Sequence, residues 1–529
     1  MNSVPLHPVL IGGQWRPADA VQTFQAENPA TREPLPESYP ISSWRDCDEA
    51  LKWASAAAVT LRELPRERIA EFLEVFAARI EARKDDLVAM AHAETALAKT
   101  PRLSDVELPR TTSQLRQAAA AVREGSWAMP TIDSAINLRS VLGPIGPVIV
   151  FGPNNFPFAF NSIAGGDFVA AIAAGNPVIA KANSSHPGST RLFAEEAHAA
   201  AHSSQLPAGT VQLLYRTGHA DGERLVADHR VGATGYTGSR SAGLKLKAAA
   251  DAAGKPIYLE LSSVNPVVIL PGALAEKGDD IATQFAGSCL AGTGQMCTNP
   301  GLILLLRSVE TEKFIASIVE KFSQSPVGTL LSQNVESALN KAIGTLRTAG
   351  AKLLTGGATG AGNGCSYANT LLSVTGEQFV QHAEVLQTEA FGNASLLVVA
   401  DDLNQALQVL DRLEGNLTGC IYSDSTGKED DAYDKLAARL RVKVGRLLND
   451  KMPTGVAVSS AMNHGGPYPA TGHPGFTAVG IPAAIRRFAT LQCYDAVRQN
   501  RLPVLLQDKN PTGKTWRLVN GQWSTADVS

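Results

Sequence analysis

Hydrophobic and polar residues change their period along this chain, and the changes divide it. After short strand-like pieces at Val9-Leu10-Ile11 and Gln14-Trp15, residues 64–84 place Ile69, Phe72, Leu73, Phe76 and Ile80 at steps of three, one, three and four. That spacing predicts an amphipathic helix packed on a core, with Pro65 suited to its first turn. Beyond Val141 apolar runs alternate with helical stretches. Strands are expected at 147–151, 177–180, 211–215 and 257–260, with a short segment ending at Tyr236, and helices near 162–174, 189–204, 222–228 and 242–252. Repeated β-α alternation predicts a parallel, doubly wound sheet. A second α/β stretch runs over 265–448, and Gly-Pro-rich loops fill 453–482. Asn520-Gly521-Gln522-Trp523 echoes Gly12-Gly13-Gln14-Trp15, which reads as two similar strand-turn pieces rather than a repeat.

Composition narrows the function classes. A chain of 529 residues is long enough for several domains with large buried cores. Its 47 Lys plus Arg against 50 Asp plus Glu leave a formal charge of −3, without the basic excess that nucleic acid or an anionic membrane selects. The six cysteines are scattered, with no CxxC pair and no His-rich spacing, so a reducing compartment and no metal are expected. The first residues lack a basic patch followed by an apolar run, and no apolar stretch approaches membrane-spanning length. A cytoplasmic protein without nucleic-acid or membrane partners is the expectation.

Two short strings carry candidate chemistry. Gly294-Gln295-Met296-Cys297-Thr298-Asn299 is a small-residue loop presenting one cysteine, and Leu259-Glu260-Leu261-Ser262-Ser263 ends a strand on an acid. A thiol attacks as thiolate and needs a separate base to release an acyl group, a role open to Glu260. Taken singly, Cys297 reads first as a buried small hydrophobe, as most free cysteines are, and Glu260 as a surface acid.

Their company decides between these readings. Phe151-Gly152-Pro153-Asn154-Asn155-Phe156-Pro157, Ala180-Lys181-Ala182-Asn183-Ser184, Tyr236-Thr237-Gly238-Ser239 through Gly243, Leu259-Glu260, Gly294 through Cys297 and Glu389-Ala390-Phe391-Gly392 occur in this order. The succession, from about residue 11 to about residue 494, resembles the NAD(P)-dependent aldehyde dehydrogenase superfamily. Ser263-Val264-Asn265-Pro266, Thr298-Asn299-Pro300-Gly301 and His464-Gly465-Gly466-Pro467-Tyr468-Pro469 are similar to the branch of α-ketoglutarate semialdehyde (2,5-dioxovalerate) dehydrogenases and bacterial NADP-dependent fatty aldehyde dehydrogenases. Three departures from the common pattern concern loop shape rather than catalytic groups: Leu261-Ser262-Ser263 in place of Leu-Gly-Gly, a slightly longer Glu-to-Cys separation, and Pro153-Asn154 in place of Pro-Trp.

The resemblance implies a doubly wound cofactor domain (1–131 and 147–262), a second α/β catalytic domain (263–483), and a small bridging β segment with a tail (132–146 and 484–529). Strand 489–494 would complete the bridge, and residues 501–529 could cover part of its surface. A homodimer or homotetramer is expected by the same analogy. Cys297 becomes the nucleophile, Glu260 the deacylating base and Asn155 the oxyanion donor together with the Cys297 N–H. Adjacent Asn154 competes for that last role, and Asn155 is preferred because it directly precedes Phe-Pro.

For the cofactor, the resemblance implies Lys181 and Ser184 at the adenosine ribose, Gly238, Ser239 and Gly243 near the pyrophosphate turn, and Leu261 among the cofactor-binding residues. Glu389 and Phe391 would hold the nicotinamide ribose and ring. Ser184 stands where NAD-preferring members carry a glutamate; a hydroxyl beside Lys181 accepts a 2′-phosphate that an acid would repel, so NADP is favoured with NAD possible. Arg216 is a candidate second cation, and Gly218 and Gly222 read as turn glycines. Phe156, Phe160, Met296 and Thr298 are expected along the approach to the thiol, with Arg102 and Arg110 among the places to look for a group that would bind a substrate carboxylate. α-Ketoglutarate semialdehyde is the expected aldehyde and a medium or long-chain aldehyde the alternative. A CoA-acylating enzyme or an inactive scaffold would not need the combination of Cys297, Glu260, Asn155 and Lys181.

Overall fold

The computed structural model describes residues 6–528, and its architecture is α/β with three principal sheets. In the first, five parallel strands lie in the order Ile257–Glu260, Ala233–Thr237, Val148–Phe151, Val178–Lys181 and Val211–Leu214. The hairpin of Val9–Ile11 and Gln14–Arg16 extends the last of these antiparallel, so the sheet is not wholly parallel. The chain winds outward from Val148–Phe151 to one side and then to the other, which makes the gap between that strand and Ala233–Thr237 a topological switch point. Ligands of such sheets bind beyond the carboxyl ends there.

Helix boundaries follow local rules. The stripe of Ile69, Phe72, Leu73, Phe76 and Ile80 is buried along the helix Arg66–Ala82, whose N-cap is Pro65; the proline precedes the first turn rather than lying in it. Phe72 and Phe76 pack on Phe168 of the helix Gly166–Ala173, with ring centroids 6.4 and 6.1 Å apart. The second sheet, drawn from residues 267–449, is parallel except for the edge strand Lys352–Thr355, and it buries Val268, Leu304 and Val398 on one face and Ile269, Leu305 and Leu397 on the other. Residues 453–482 form no regular helix or strand, as their Gly-Pro content predicts.

The third sheet joins Ala489–Asp495, Leu138–Pro144, Thr131–Asp133, Arg517–Val519 and Gln522–Ser524 in that order. The tail therefore covers the edge of Thr131–Asp133 directly. Asn520 and Gly521 turn its hairpin with φ of 50° and 80°, and Gly12 and Gly13 do the same in the first hairpin with 61° and 73°. The echo between the two strings is thus a shared turn conformation. Arg517 is fully buried and donates to the carbonyls of Gln507, Asp508 and Ala526, which ties the tail down.

One buried ion pair links this C-terminal segment to the first sheet. Arg487 Nη2 lies 2.7 Å from Asp167 Oδ1, and the Asp167 carboxylate also fills the space above Gly235, where a Cβ would come within 2.6 Å of it. Removing one partner of such a pair leaves a buried charge alone. Asp167→Ala is expected to lower stability by roughly 3–5 kcal/mol, read as a lower urea midpoint. A midpoint unchanged within error would show that water or another group takes over from Asp167.

Candidate active site

The strand Ile257–Glu260 ends on Glu260, and the helix Pro271–Leu290 leads into a turn at 291–294 that presents Cys297. That turn is unusually constrained. Gly292, Thr293 and Gly294 all have positive φ, and a Cβ on Gly294 would sit 2.1 Å from the Gly392 carbonyl. Gln295 locks the loop, since its Oε1 accepts from Leu331 N at 2.8 Å and its Nε2 donates to Gly292 O at 3.1 Å. Asn265, itself left-handed at φ 48°, donates from Nδ2 to the carbonyls of Cys297 and Asn299, both at 2.9 Å. Asn265 Oδ1 in turn accepts from the Ser263 hydroxyl at 2.9 Å. The Ser263-Val264-Asn265 string is therefore a clamp on the backbone at and just after the thiol.

Glu260 and Cys297 meet through a third residue. His464 comes from the Gly-Pro-rich loops and is 1% exposed; its Nε2 lies 3.0 Å from Glu260 Oε1 and 3.4 Å from Cys297 Sγ. Burial pulls the imidazole toward neutrality, but Glu260 and Cys297 outweigh it and raise its pKa to about 10. His464 is therefore an imidazolium at neutral pH, and an adjacent cation is the setting that a thiolate nucleophile requires. Glu260 Oε2 is buried without a partner. The sulfur, nitrogen and oxygen donors of Cys297, His464 and Glu260 lie within 4.8 Å of one another, a set that could also hold a divalent transition metal.

Asn155 is buried and donates from Nδ2 to Gln295 O at 3.0 Å, which brings its amide to the cysteine loop. Asn154 instead lines the cofactor-sized cleft. That cleft, of about 510 Å³ and open to solvent, lies at the carboxyl ends of Val148–Phe151, Val178–Lys181 and Ala233–Thr237. Lys181, Ser184, Arg216, Gly218, Gly222, Gly238 and Ser239 all line it. Ser239 caps the helix Arg240–Ala252, its hydroxyl accepting from Ala242 N, so the free N–H groups of a helix N-terminus face the cleft. Among the described residues lining it, Lys181, Arg216 and Lys245 oppose one acid, Glu223. Burial, with a smaller contribution from Arg216, lowers the Lys181 pKa to about 8.

The other predicted residues fall elsewhere. Gly243 and Leu261 pack on each other beside the cleft, with no space for a Cβ on Gly243. Glu389 and Phe391 line a smaller cavity together with Met296 and Ser263, and burial lifts the Glu389 carboxyl to about 7. Phe156 and Phe160 stack edge-on at 5.2 Å, and the Phe160 ring lies 5.9 Å from that of His464. Thr298 is 2% exposed, and its carbonyl accepts from the Thr454 hydroxyl at 3.4 Å. His464 appeared in the sequence only as part of a branch-like string, and its separation from both partners concealed its place.

Comparison with known proteins places the chain in a family. A profile described as Aldehyde dehydrogenase family matches residues 15–466. The chain belongs to the aldehyde dehydrogenase family. This aldehyde dehydrogenase is 38% identical to alpha-ketoglutaric semialdehyde dehydrogenase 2 of Azospirillum brasilense, over 95% of the chain and 97% of the relative. It is 34% identical to the alpha-ketoglutaric semialdehyde dehydrogenase of Acinetobacter baylyi, over 97% of each. In fold it matches the crystal structure of lactaldehyde dehydrogenase from Escherichia coli with a TM-score of 0.79 at 22% identity, covering 92% of this chain and 98% of that one. The enzyme is thus an aldehyde oxidoreductase using a nicotinamide cofactor, and no described helix is long and apolar enough to cross a membrane.

The shared imidazolium generates a specific expectation. His464→Asn should slow alkylation of Cys297 by iodoacetamide at pH 7 by about tenfold or more. An unchanged alkylation rate would remove His464 from thiol activation.

Proposed function

We propose that this enzyme oxidises α-ketoglutarate semialdehyde to α-ketoglutarate with NADP, through a thioester on Cys297. The observation that carries the catalytic part is the buried line from Cys297 Sγ through His464 Nε2 to Glu260 Oε1. The substrate part is supported by the two relatives at 38% and 34% identity, both named for that semialdehyde.

The thiolate of Cys297 attacks the aldehyde carbon, and the oxyanion that forms is met by the Asn155 amide and the Cys297 N–H. A bound nicotinamide cofactor supplies the hydride acceptor. Departure of hydride from the thiohemiacetal carbon leaves a thioester. Water then attacks it, giving its proton to the Glu260–His464 pair; the unpartnered Oε2 of Glu260 supports that role. The same pair argues against a CoA-acylating enzyme, which has no use for a buried deacylating acid.

The preference for NADP rests on the cleft. Lys181 and Arg216 line it with Ser184, an arrangement that suits a 2′-phosphate better than two ribose hydroxyls. Residues 1–131 and 147–262 are assigned to the cofactor domain, 263–483 to the catalytic domain, and 132–146 with 484–529 to the bridge and tail; the division of strands among the three sheets supports these limits. A homodimer or homotetramer is the proposed assembly. Among the described residues the outer edge of Ala489–Asp495 has no partner strand, and Leu491 on it is 67% exposed.

Two experiments test the reading. Cys297→Ala should abolish cofactor reduction, while Glu260→Gln should give a burst equal to the active sites followed by turnover slowed by about 100-fold; a slowed burst with no slowing of the later phase would take deacylation away from Glu260. For the cofactor, Ser184→Glu should lower kcat/KM for NADP about tenfold or more relative to NAD. Lys181 is a cation below its pKa of about 8 and neutral above it, so KM for NADP should rise through pH 8–9 more steeply than KM for NAD. Parallel pH profiles for the two cofactors would count against phosphate binding by Lys181.

A further inference from the structure

Three arginines approach the thiol pocket, and only one of them lacks hydrogen-bond partners. Arg102 is occupied: Nη1 lies 2.6 Å from Glu107 Oε2, and Nη2 donates to the Asn155 carbonyl at 3.0 Å. Arg446 donates to the carbonyls of Pro453 and Gly455 at 2.7 and 3.1 Å. Arg110 has Nε and Nη2 both buried with no partner, and no carboxylate among the described residues pairs with it. Its position makes this costlier, because it lies in the first turn of the helix Leu108–Glu124, where the helix dipole disfavours a cation.

The guanidinium is nonetheless held in place. Its Cζ lies 5.2 Å from the Phe160 centroid and 5.9 Å from that of Phe156, which directly follows Asn155. Phe160 touches His464 on the other side, so Arg110 is separated from the reacting sulfur by one aromatic ring and the imidazole. Burial weakens its charge, while Cys297, Glu107 and Glu260 strengthen it, which places it within electrostatic reach of the site. A planar fork of donors, dry, aromatic-walled and without a counter-ion, matches an incoming carboxylate.

We propose that Arg110 is the specificity-determining residue that binds the carboxylate of the aldehyde substrate. The inference rests on the semialdehyde reading for its substrate class. In α-ketoglutarate semialdehyde four carbon–carbon bonds separate the aldehyde carbon from the carboxylate carbon, so the chain can lie along Phe160 and Phe156 with its acid at the guanidinium and its aldehyde at Cys297. An uncharged aldehyde of equal length leaves the buried guanidinium without a partner, and the enzyme discriminates against it for that reason.

The test compares kcat/KM for α-ketoglutarate semialdehyde, succinic semialdehyde and pentanal in the full-length wild type, Arg110→Met and Arg110→Lys. The ratio of semialdehyde to pentanal should fall by about 10- to 100-fold in Arg110→Met, the range of a charge-assisted hydrogen bond, with Arg110→Lys intermediate. Inhibition of pentanal oxidation by the product α-ketoglutarate should weaken in the same order. An unchanged ratio in Arg110→Met, or equal loss on all three aldehydes in both variants, overturns the proposal. A wild type that prefers succinic semialdehyde, with that preference lost in Arg110→Met, sinks the α-ketoglutarate semialdehyde reading and upholds Arg110 as the carboxylate site.

Discussion

A single imidazole nitrogen, buried between a carboxylate and a thiol, is the constraint on which this site turns. His464 Nε2 faces both Glu260 Oε1 and Cys297 Sγ, and neither contact survives unless three distant stretches of chain meet within a few ångströms. An imidazolium excluded from water is stable only beside negative partners. The buried cation and both of its partners are thereby held by the same interaction.

The surrounding backbone is arranged to keep that meeting point fixed. Asn265 holds the Cys297 and Asn299 carbonyls, Gln295 closes the turn before the thiol, and Asn155 reaches the same turn from the cofactor side. Each is a buried amide with its hydrogen-bonding capacity turned inward, so the loop has few alternative conformations. Rigidity of this kind is what lets oxyanion donors be in position before charge develops.

The cofactor cleft and the thiol pocket meet around the loop 152–160. Its Asn154 faces the cleft, Asn155 faces the cysteine turn, and Phe156 and Phe160 form the wall against which Arg102 and Arg110 lie. One short stretch thus separates the large cleft from the thiol pocket, which explains why adjacent asparagines that look interchangeable in sequence are placed in different environments.

Much of this was legible in the chain alone. Period-2 and period-3.6 patterns located the strands and helices of the first sheet, because burial on a sheet or helix face is a local, periodic requirement. Cys297 and Glu260 stood out because each sits in small residues that only a tight turn needs, and the order of the strings identified the family. What the sequence could not settle was which residues share an atom or lack a partner. His464 lies 204 positions from Glu260 and 167 from Cys297, and Arg110 differs from Arg102 only in what surrounds it. Even Pro65 shifted from first turn to cap, and the packing of Gly243 on Leu261 was not visible in the chain alone. Elements and candidate nucleophiles follow from local chemistry, whereas charge states and unpaired donors depend on burial and proximity, which exist only once the chain has folded.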